Sequence, residues 1–135
     1  VDIISGSSHI LILLTEIKRG GEKLGNISWA EFERIDLRVG TILEAEDFAE
    51  AKKPAIKMRI DFGAEIGVKR SSAQITDHYG PASLIGKQVI AVTNLADKQI
   101  GPFISECLVT GFIKSDQSVI LAGPDKPIAN GTRLA

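Results

Sequence analysis

The stretch "AIKMRIDFGAEIGVKRSSAQIT", residues 55–76, alternates apolar and charged side chains and then turns back on itself. Its apolar residues recur at every second position from residue 56 to residue 62, a period typical of a strand with one buried face. Lys57 and Arg59 lie between them. The glycines of "GAEIG" predict a turn, and "VKRSS" predicts a partner strand. The stretch therefore predicts a hairpin with a basic outer face.

The flanking sequence predicts further short strands, separated by turns rather than by long helices. These strands are predicted at 37–48, 87–95, 106–113 and 118–123, with helical turns in 73–86 and a loop at 96–105. Gly40, inside the first strand, predicts a bulge or a tight bend. The pattern disfavours a parallel α/β fold. It favours an all-β fold, a five-stranded Greek-key barrel of the OB type with short helical inserts and an N-terminal extension.

The stretch "ISWAEFERID" predicts a short helix ahead of the first strand. Ser28 followed by Glu31 three residues later is a capping box, in which each side chain accepts a hydrogen bond from the other residue's backbone N–H. Trp29, Phe32 and Ile35 are expected to face the core.

Length and composition limit the possible functions. The chain has 135 residues, 44% of them hydrophobic, which suits one domain, alone or with a tail. The net charge of −1 hides an uneven distribution: residues 28–50 carry a balance of −5 and residues 51–70 a balance of +4. A basic segment beside an acidic one can act locally even in a near-neutral protein.

The sequence gives little support for catalysis, a cofactor or a metal. A single cysteine, Cys107, excludes an internal disulfide, opens an apolar strand and is expected to be a buried, inert thiol. His78 is expected at the surface. Phosphate-binding and dinucleotide-binding glycine motifs are absent from the sequence. We therefore predict no enzyme activity, no catalytic residue, no cofactor and no metal site, and a reducing, cytoplasmic location.

The first 27 residues differ from the rest of the chain. The apolar run at 10–14 is far shorter than the roughly 20 residues that span a bilayer. No membrane span is expected. We interpret residues 1–27 as a flexible extension, a remnant of cloning, or a strand that docks on its own or a partner domain. Residues 28–135 are predicted to form the folded domain.

Two segments could present polar groups to a ligand. In the hairpin, four cations and nearby hydrogen-bonding groups could follow a phosphate backbone, or they could be the solvated face of an edge strand. In the loop that follows, Asn94, Lys98, Phe103 and Ser105 could contact a ligand, or Phe103 could simply pack into the core. The pattern leaves both alternatives open.

Three blocks together resemble the tRNA-binding domain family, which includes the C-terminal appendage of bacterial methionyl-tRNA synthetases, the endothelial-monocyte-activating polypeptide domain and the CsaA secretion chaperones. The blocks are "FERIDLRVGTILEAEDFAEAKKPAIKMRIDFGAEIGVKRSSAQITDHY", "LIGKQVIAVTNLADKQIGPFISECLVTGF" and "VILAGPDKPIANGTRL". The resemblance covers residues 28–135, and "DLRVGTI", "IDFG", "SSAQIT" and "NGT" are similar to the CsaA branch.

The resemblance implies an OB barrel, a homodimer, tRNA binding and no enzyme activity. For the CsaA branch it also implies an export-related chaperone that binds unfolded or pre-secretory polypeptides and could meet the export machinery; the alternative is a tRNA-binding module acting in translation or tRNA handling. Together with the hairpin pattern, it gives as RNA-binding residues Arg38, Lys57, Arg59, Lys69, Arg70, Ser72, Gln74, Asn94, Lys98 and Ser105. Glu106 stands where the synthetase-linked branch has a small or polar residue, and it is expected to repel phosphate.

A polypeptide ligand would need an exposed apolar surface with a polar rim, and a groove between two barrels could supply one. The candidate lining residues are Phe48, Ile66, Ile100, Phe103 and Ile104. Packing in the core is the competing interpretation for each of them.

Overall fold

The computed structural model describes residues 25–135 of the chain. This part contains nine strands and three short helical segments. The helical segments are α1 Trp29–Glu33, α2 Gly63–Ile66 and α3 Pro81–Leu84. The strands are β1 Leu37–Asp47, β2 Ile56–Asp61, β3 Val68–Ala73, β4 Gln88–Val92, β5 Lys98–Ile100, β6 Phe103–Ser105, β7 Leu108–Val109, β8 Gly111–Ile113 and β9 Val119–Leu121. The interpretation of residues 1–24 lies outside the described residues.

Five of these strands form one antiparallel sheet in the order β3-β2-β1-β4-β7. The sheet curls into a nearly closed barrel, with the backbone N–H of Glu106 donating to the carbonyl oxygen of Arg70 at 2.8 Å. Hairpins β5–β6 and β8–β9 extend from it, and the C-terminal segment pairs with the start of β1, where the Val39 N–H donates to the Thr132 carbonyl oxygen at 3.0 Å. The predicted OB-type barrel is confirmed, with α3 between the third and fourth strands.

The barrel interior is filled by aliphatic side chains, one phenylalanine, one methionine and one cysteine. The alternation predicted for β2 is confirmed, because Ile56, Met58 and Ile60 are buried while Arg59 is exposed. Phe62, just beyond the strand, is fully buried. Side chains from β1, β3, β4, β7 and β9 complete the same core. Burial of this apolar surface is the main stabilising contribution to the fold.

The segment 96–105, predicted as a loop, is instead the β5–β6 hairpin. Lys98 lies opposite Ser105, and Ile100 lies opposite Phe103. The turn between the strands uses Gly101 at a φ of 56°, a conformation that glycine adopts readily. The prediction was wrong because three-residue strands are too short to show a clear alternation.

The irregularity in β1 lies three residues later than predicted. Ile42 pairs with Ile60, and Glu44 pairs with Arg59, so Leu43 is an extra residue in a β-bulge. Gly40 instead permits close packing, since a Cβ there would come within 2.6 Å of the Ile60 side chain.

The capping box of α1 is confirmed, but two of the three apolar side chains that were expected to face the core are exposed. The Ser28 hydroxyl accepts from the Glu31 N–H at 3.1 Å, and the Glu31 carboxylate accepts from the Ser28 N–H at 3.0 Å. Trp29 is 82% exposed and Ile35 is 43% exposed, while Phe32 is half-buried. A helix of five residues at the barrel edge can turn only a narrow face inward. Within residues 25–135, no helix is long and apolar enough to cross a membrane.

Candidate nucleic-acid interface

The β2–β3 hairpin brings basic side chains together on the outside of the barrel. Because alternate residues of β2 enter the core, Lys57 and Arg59 leave the strand on the opposite side. Arg59 lies directly opposite Arg70 in the β2–β3 register, so these two guanidinium groups share one face. We call Lys57, Arg59 and Arg70 the basic face.

Lys69 does not belong to the basic face, although it precedes Arg70 in the sequence. It lies opposite the buried Ile60, so alternation directs its side chain to the core side of β3. Lys69 is half-buried. The structure therefore separates two cations that the sequence placed together.

An aromatic ring lies at the centre of the basic face. Phe103 on β6 meets the ring of Phe48 edge to face, with 5.5 Å between centroids. The Lys57 ammonium lies 5.2 Å from the Phe48 centroid and 6.0 Å from that of Phe103, and the Arg70 guanidinium carbon lies 5.6 Å from Phe103. These are cation–π distances. Phe48 is only 4% exposed and supports Phe103 from beneath.

A cleft of about 350 Å³ opens beside this ring. Its lining mixes cations, acids and apolar groups. The lining residues are Glu44, Ala45, Glu46, Lys57, Met58, Arg59, Arg70 and Phe103. A shallow groove with a half-exposed aromatic ring and flanking cations has the chemistry that single-stranded nucleic acid requires.

Each cation of the basic face forms an ion pair with an acid. The Arg59 guanidinium lies 2.8 Å from the Glu44 carboxylate, and the Lys57 ammonium lies 3.2 Å from Glu46 and 4.0 Å from Glu50. The first two of these pairs are cross-strand neighbours in the β1–β2 register.

The pair between Arg70 and Glu106 joins β3 to the segment after β6. The Glu106 carboxylate accepts from the Arg70 backbone N–H at 2.9 Å and from its Nε–H at 3.2 Å. Partial burial alone would raise the pKa of this carboxyl, but the hydrogen bonds and charge of Arg70 outweigh it and hold the pKa below its ordinary value. Glu106 is therefore ionised at neutral pH.

Arg38 and Asn94 lie away from the basic face. Arg38 is half-buried near the start of β1, where it contacts Asp36 at 2.7 Å and donates to the Gly131 carbonyl oxygen at 3.0 Å. Glu46 is eight residues further along the strand, which corresponds to about 26 Å. The Asn94 amide accepts from the Asp36 N–H at 2.9 Å and donates to the Arg34 carbonyl oxygen at 2.6 Å. Both side chains connect the barrel to its terminal segments.

The two predicted serines lie beneath the surface. Ser72 is fully buried, and its hydroxyl has no hydrogen-bond partner among the described residues. Ser105 is 3% exposed and donates to the Cys107 carbonyl oxygen at 3.4 Å. Neither hydroxyl can contact a surface ligand in this arrangement. Gln74 is half-buried just after β3, and Lys98, also half-buried, begins β5.

The predicted peptide-binding residues are less exposed than a polypeptide surface requires. Phe48 is buried, which corrects its prediction as a lining residue, and Ile66 packs against the core. Ile100, Phe103 and Ile104 are half-buried on the β5–β6 hairpin. Because they lie beside the basic face, these three residues give it a partly apolar edge that a polypeptide could contact.

Sequence reasoning missed a partly apolar surface around α1. Trp29 is exposed on this helix, and the helix also borders a second cleft of about 380 Å³. This cleft is lined by Glu31, Arg34, Ile35, Val92, Asn94 and Leu95. We call Trp29 and these six residues the α1 surface. The available signal was a short helix carrying more apolar residues than one narrow face could bury.

Cys107 and His78 show no catalytic arrangement. Burial raises the pKa of the Cys107 thiol to about 12, so the nucleophilic thiolate does not form at neutral pH. The exposed His78 ring has its Nε2 atom 2.9 Å from the Ser118 hydroxyl oxygen. The expectation of a buried thiol is confirmed, and its inertness stays a prediction.

Comparison with known proteins places the chain in a family. The sequence profile of the tRNA binding domain matches residues 37–133. The crystal structure of the CsaA chaperone protein from Picrophilus torridus superposes with a TM-score of 0.76 at 50% identity, covering 82% of this chain and all of that one. The chaperone CsaA of Bacillus anthracis gives 0.78 at 44% identity, with the same coverage.

The curated relatives are much longer proteins. The methionine–tRNA ligase of Methanocaldococcus jannaschii is 34% identical over 119 residues, which is 88% of this chain but 18% of that enzyme. The chain thus spans less than a fifth of the length of that relative. Because the profile spans β1 to the C-terminal segment, including the β2–β3 hairpin and the β5–β6 hairpin, the chain belongs to the tRNA-binding domain family.

Proposed function

We propose that this chain binds tRNA through the basic face. The observation that carries the proposal is the position of Phe103, whose ring is flanked by the Lys57 ammonium and the Arg70 guanidinium beside an open cleft. Cations attract the phosphate backbone, and a half-exposed ring can stack on an unpaired base. Membership of the tRNA-binding domain family supports the same function.

The proposed binding mode uses four side chains: three cations that contact phosphates and one ring that stacks on a base. Lys57 and Arg70 neutralise phosphates on either side of a nucleotide whose base stacks on Phe103. Arg59, which is 48% exposed, contacts the next phosphate along the cleft. Ser72 and Ser105 shape the face from beneath it. Arg38 and Asn94 hold the end of the barrel in place, and Lys98 lies at the start of the neighbouring hairpin.

A second candidate function is that of an export-related chaperone that holds unfolded or pre-secretory polypeptides. Its support is the likeness to two proteins named as CsaA chaperones, at 50% and 44% identity over the whole of those chains. The half-buried Ile100 and Ile104 beside the basic face supply an apolar edge for a polypeptide. In this role the chain works in the cytoplasm, binds clients without catalysis and meets the export machinery.

We also propose that the chain is a homodimer joined through the α1 surface. Trp29 is 82% exposed, which is unusual for so large an apolar side chain. A two-fold interface must be self-complementary, and the α1 surface presents both Glu31 and Arg34 beside apolar Ile35 and Leu95. A second copy can therefore pair opposite charges while covering the apolar groups.

The deciding experiment is a titration of fluorescently labelled tRNA across a salt series, with an unfolded preprotein as competitor. Tight binding with steep salt dependence supports the RNA function, and competition by the preprotein places both ligands on one surface. Weak tRNA binding beside clear preprotein binding favours the chaperone alone. Binding of tRNA without any preprotein binding favours a module for translation or tRNA handling.

A further inference from the structure

The basic face carries its own acidic competitors. Arg59 is paired with Glu44 at 2.8 Å, and Arg70 is paired with Glu106 at 3.2 Å. A phosphate that binds either guanidinium must take the place of a carboxylate. The paired face therefore has a much weaker positive potential than its three cations alone would give it.

The backbone fixes these carboxylates at the face. The bulge at Leu43 shifts β1 by one residue, so that Glu44 and Glu46 lie opposite Arg59 and Lys57. Without the extra residue, continuation of the register from Ile42 would place Glu44 opposite the buried Met58. Glu106 is fixed in another way, because its backbone N–H donates to the Arg70 carbonyl oxygen and its carboxylate accepts from the Arg70 backbone N–H.

A displaced carboxylate therefore stays close to the bound phosphate. Exposed ion pairs are weak, so a phosphate can open them. After opening, however, the freed acid lies within a few ångströms of the nucleic acid and repels it. The cost recurs at each pair that a strand of RNA must open.

We propose that Glu44 and Glu106 limit the affinity of the basic face for RNA by competing with phosphate for Arg59 and Arg70. The inference rests on the proposed binding of tRNA at this face. The acids near Lys57 are less suitable for a test. Glu46 and Glu50 both lie near its ammonium group, so replacing one of them leaves the other in place.

The test compares wild type with the double variant Glu44→Gln/Glu106→Gln. Glutamine keeps the size of each side chain, and its amide oxygen can still accept the Arg70 N–H. We expect tRNA to bind about 3- to 10-fold more tightly at 0.15 M salt. The slope of log K against log salt should become steeper by up to about 1 per freed cation, because each cation then releases a counterion on binding.

The matched control is Glu33→Gln/Asp125→Asn, which makes the same change in net charge at two exposed acids that do not line the cleft. It should bind tRNA as wild type does, within about 2-fold. An equal gain in the control would overturn the inference, since general charge would then explain the result. Equal thermal stability of all three proteins confirms that the folds are comparable.

Two further outcomes separate a failure of this inference from a failure of the proposed function. If wild type binds tRNA and the double variant binds no more tightly, the inference fails while the proposed function stands. If neither protein binds tRNA, both fail. Adding Arg70→Ala to Glu106→Gln should remove the gain that Glu106→Gln gives, and an undiminished gain would show that Glu106 does not act through Arg70.

Discussion

At the scale of single residues, burial decides the chemistry of Cys107. The thiol is 3% exposed, and its sulfur lies 3.8 Å from the Arg70 carbonyl oxygen, directly behind the basic face. The sequence predicted an inert thiol from the apolar strand around it. The structure adds its position, because only the pairing of β3 with the segment after β6 brings Cys107 behind Arg70.

We expect Cys107 in the native protein to resist a thiol reagent such as Ellman's reagent at pH 8, and to react readily after unfolding in urea. Burial raises the thiol pKa from 9.0 to about 12, so the native state keeps its proton where the unfolded state loses it. The free energy of unfolding should therefore fall as the pH rises from 9 towards 12. Rapid labelling of folded protein would contradict this prediction.

Comparison with Cys107→Ala isolates the effect of the thiol, because the two proteins share every other ionisable side chain. Urea unfolding at pH 8 and pH 10.5 provides the measurement. Wild type should lose more stability between these pH values than the variant does. Parallel losses in the two proteins would show that Cys107 makes no contribution.

At the scale of elements, the β2–β3 hairpin was readable from sequence because each strand shows its own alternation. The sequence did not show which residues of other strands would lie beside the hairpin in the site. The acids of β1 reach the basic face only through the bulge at Leu43, and the sequence placed the irregularity at Gly40 instead. Glycine marks a sterically unusual position, but sequence does not say whether a bulge or a close neighbour explains it.

We expect Lys57→Ala/Arg59→Ala to weaken tRNA binding broadly and to lower the salt slope by up to about 2, since each lost phosphate contact removes nearly one counterion. The measurement is the same fluorescence titration across a salt series. Lys114→Ala/Lys126→Ala is the control, because these exposed lysines do not line the cleft. Unchanged binding by the Lys57 and Arg59 variant would refute the placement of the RNA site.

We expect Gly40→Ala to destabilise the barrel by about 1–3 kcal/mol, the usual cost of overpacking a core. A Cβ at this position would lie 2.6 Å from an Ile60 methyl carbon and 2.7 Å from the Phe62 ring. Urea unfolding measures the change. Gly25→Ala has open space around it and should change stability by less than about 0.5 kcal/mol. An equally small change in stability for Gly40→Ala would contradict the prediction, and it would show that the neighbouring core side chains move to accommodate the added methyl group.

At the scale of the whole molecule, the α1 surface and the basic face occupy different parts of the barrel. The α1 surface adjoins the start of β1 and the end of β4, whereas the basic face lies near the end of β1. A dimer joined through the α1 surface therefore leaves both copies of the basic face open. Two linked faces can bind one extended ligand more tightly than either alone.

We expect Trp29→Ser to weaken the proposed dimer by about 30-fold or more, because loss of a large aromatic anchor commonly costs an interface about 2 kcal/mol or more. Sedimentation across a concentration series measures the change. Phe112→Ser, which removes another exposed aromatic side chain outside the α1 surface, should leave the dimer intact. A monomeric wild type, or equal effects of both variants, would argue against this interface.

The sequence by itself determined the features that depend on near neighbours. The alternation of β2 fixed which side chains are buried, Ser28 and Glu31 fixed the start of α1, and the run of short strands predicted the barrel. The tertiary structure alone decided that Phe48 packs against Phe103 and that Lys69 points away from the side chain of Arg70. It also decided that carboxylates form ion pairs with the cations of the basic face. The physical reason is that local spacing sets each strand's faces, whereas register and barrel closure decide which faces meet.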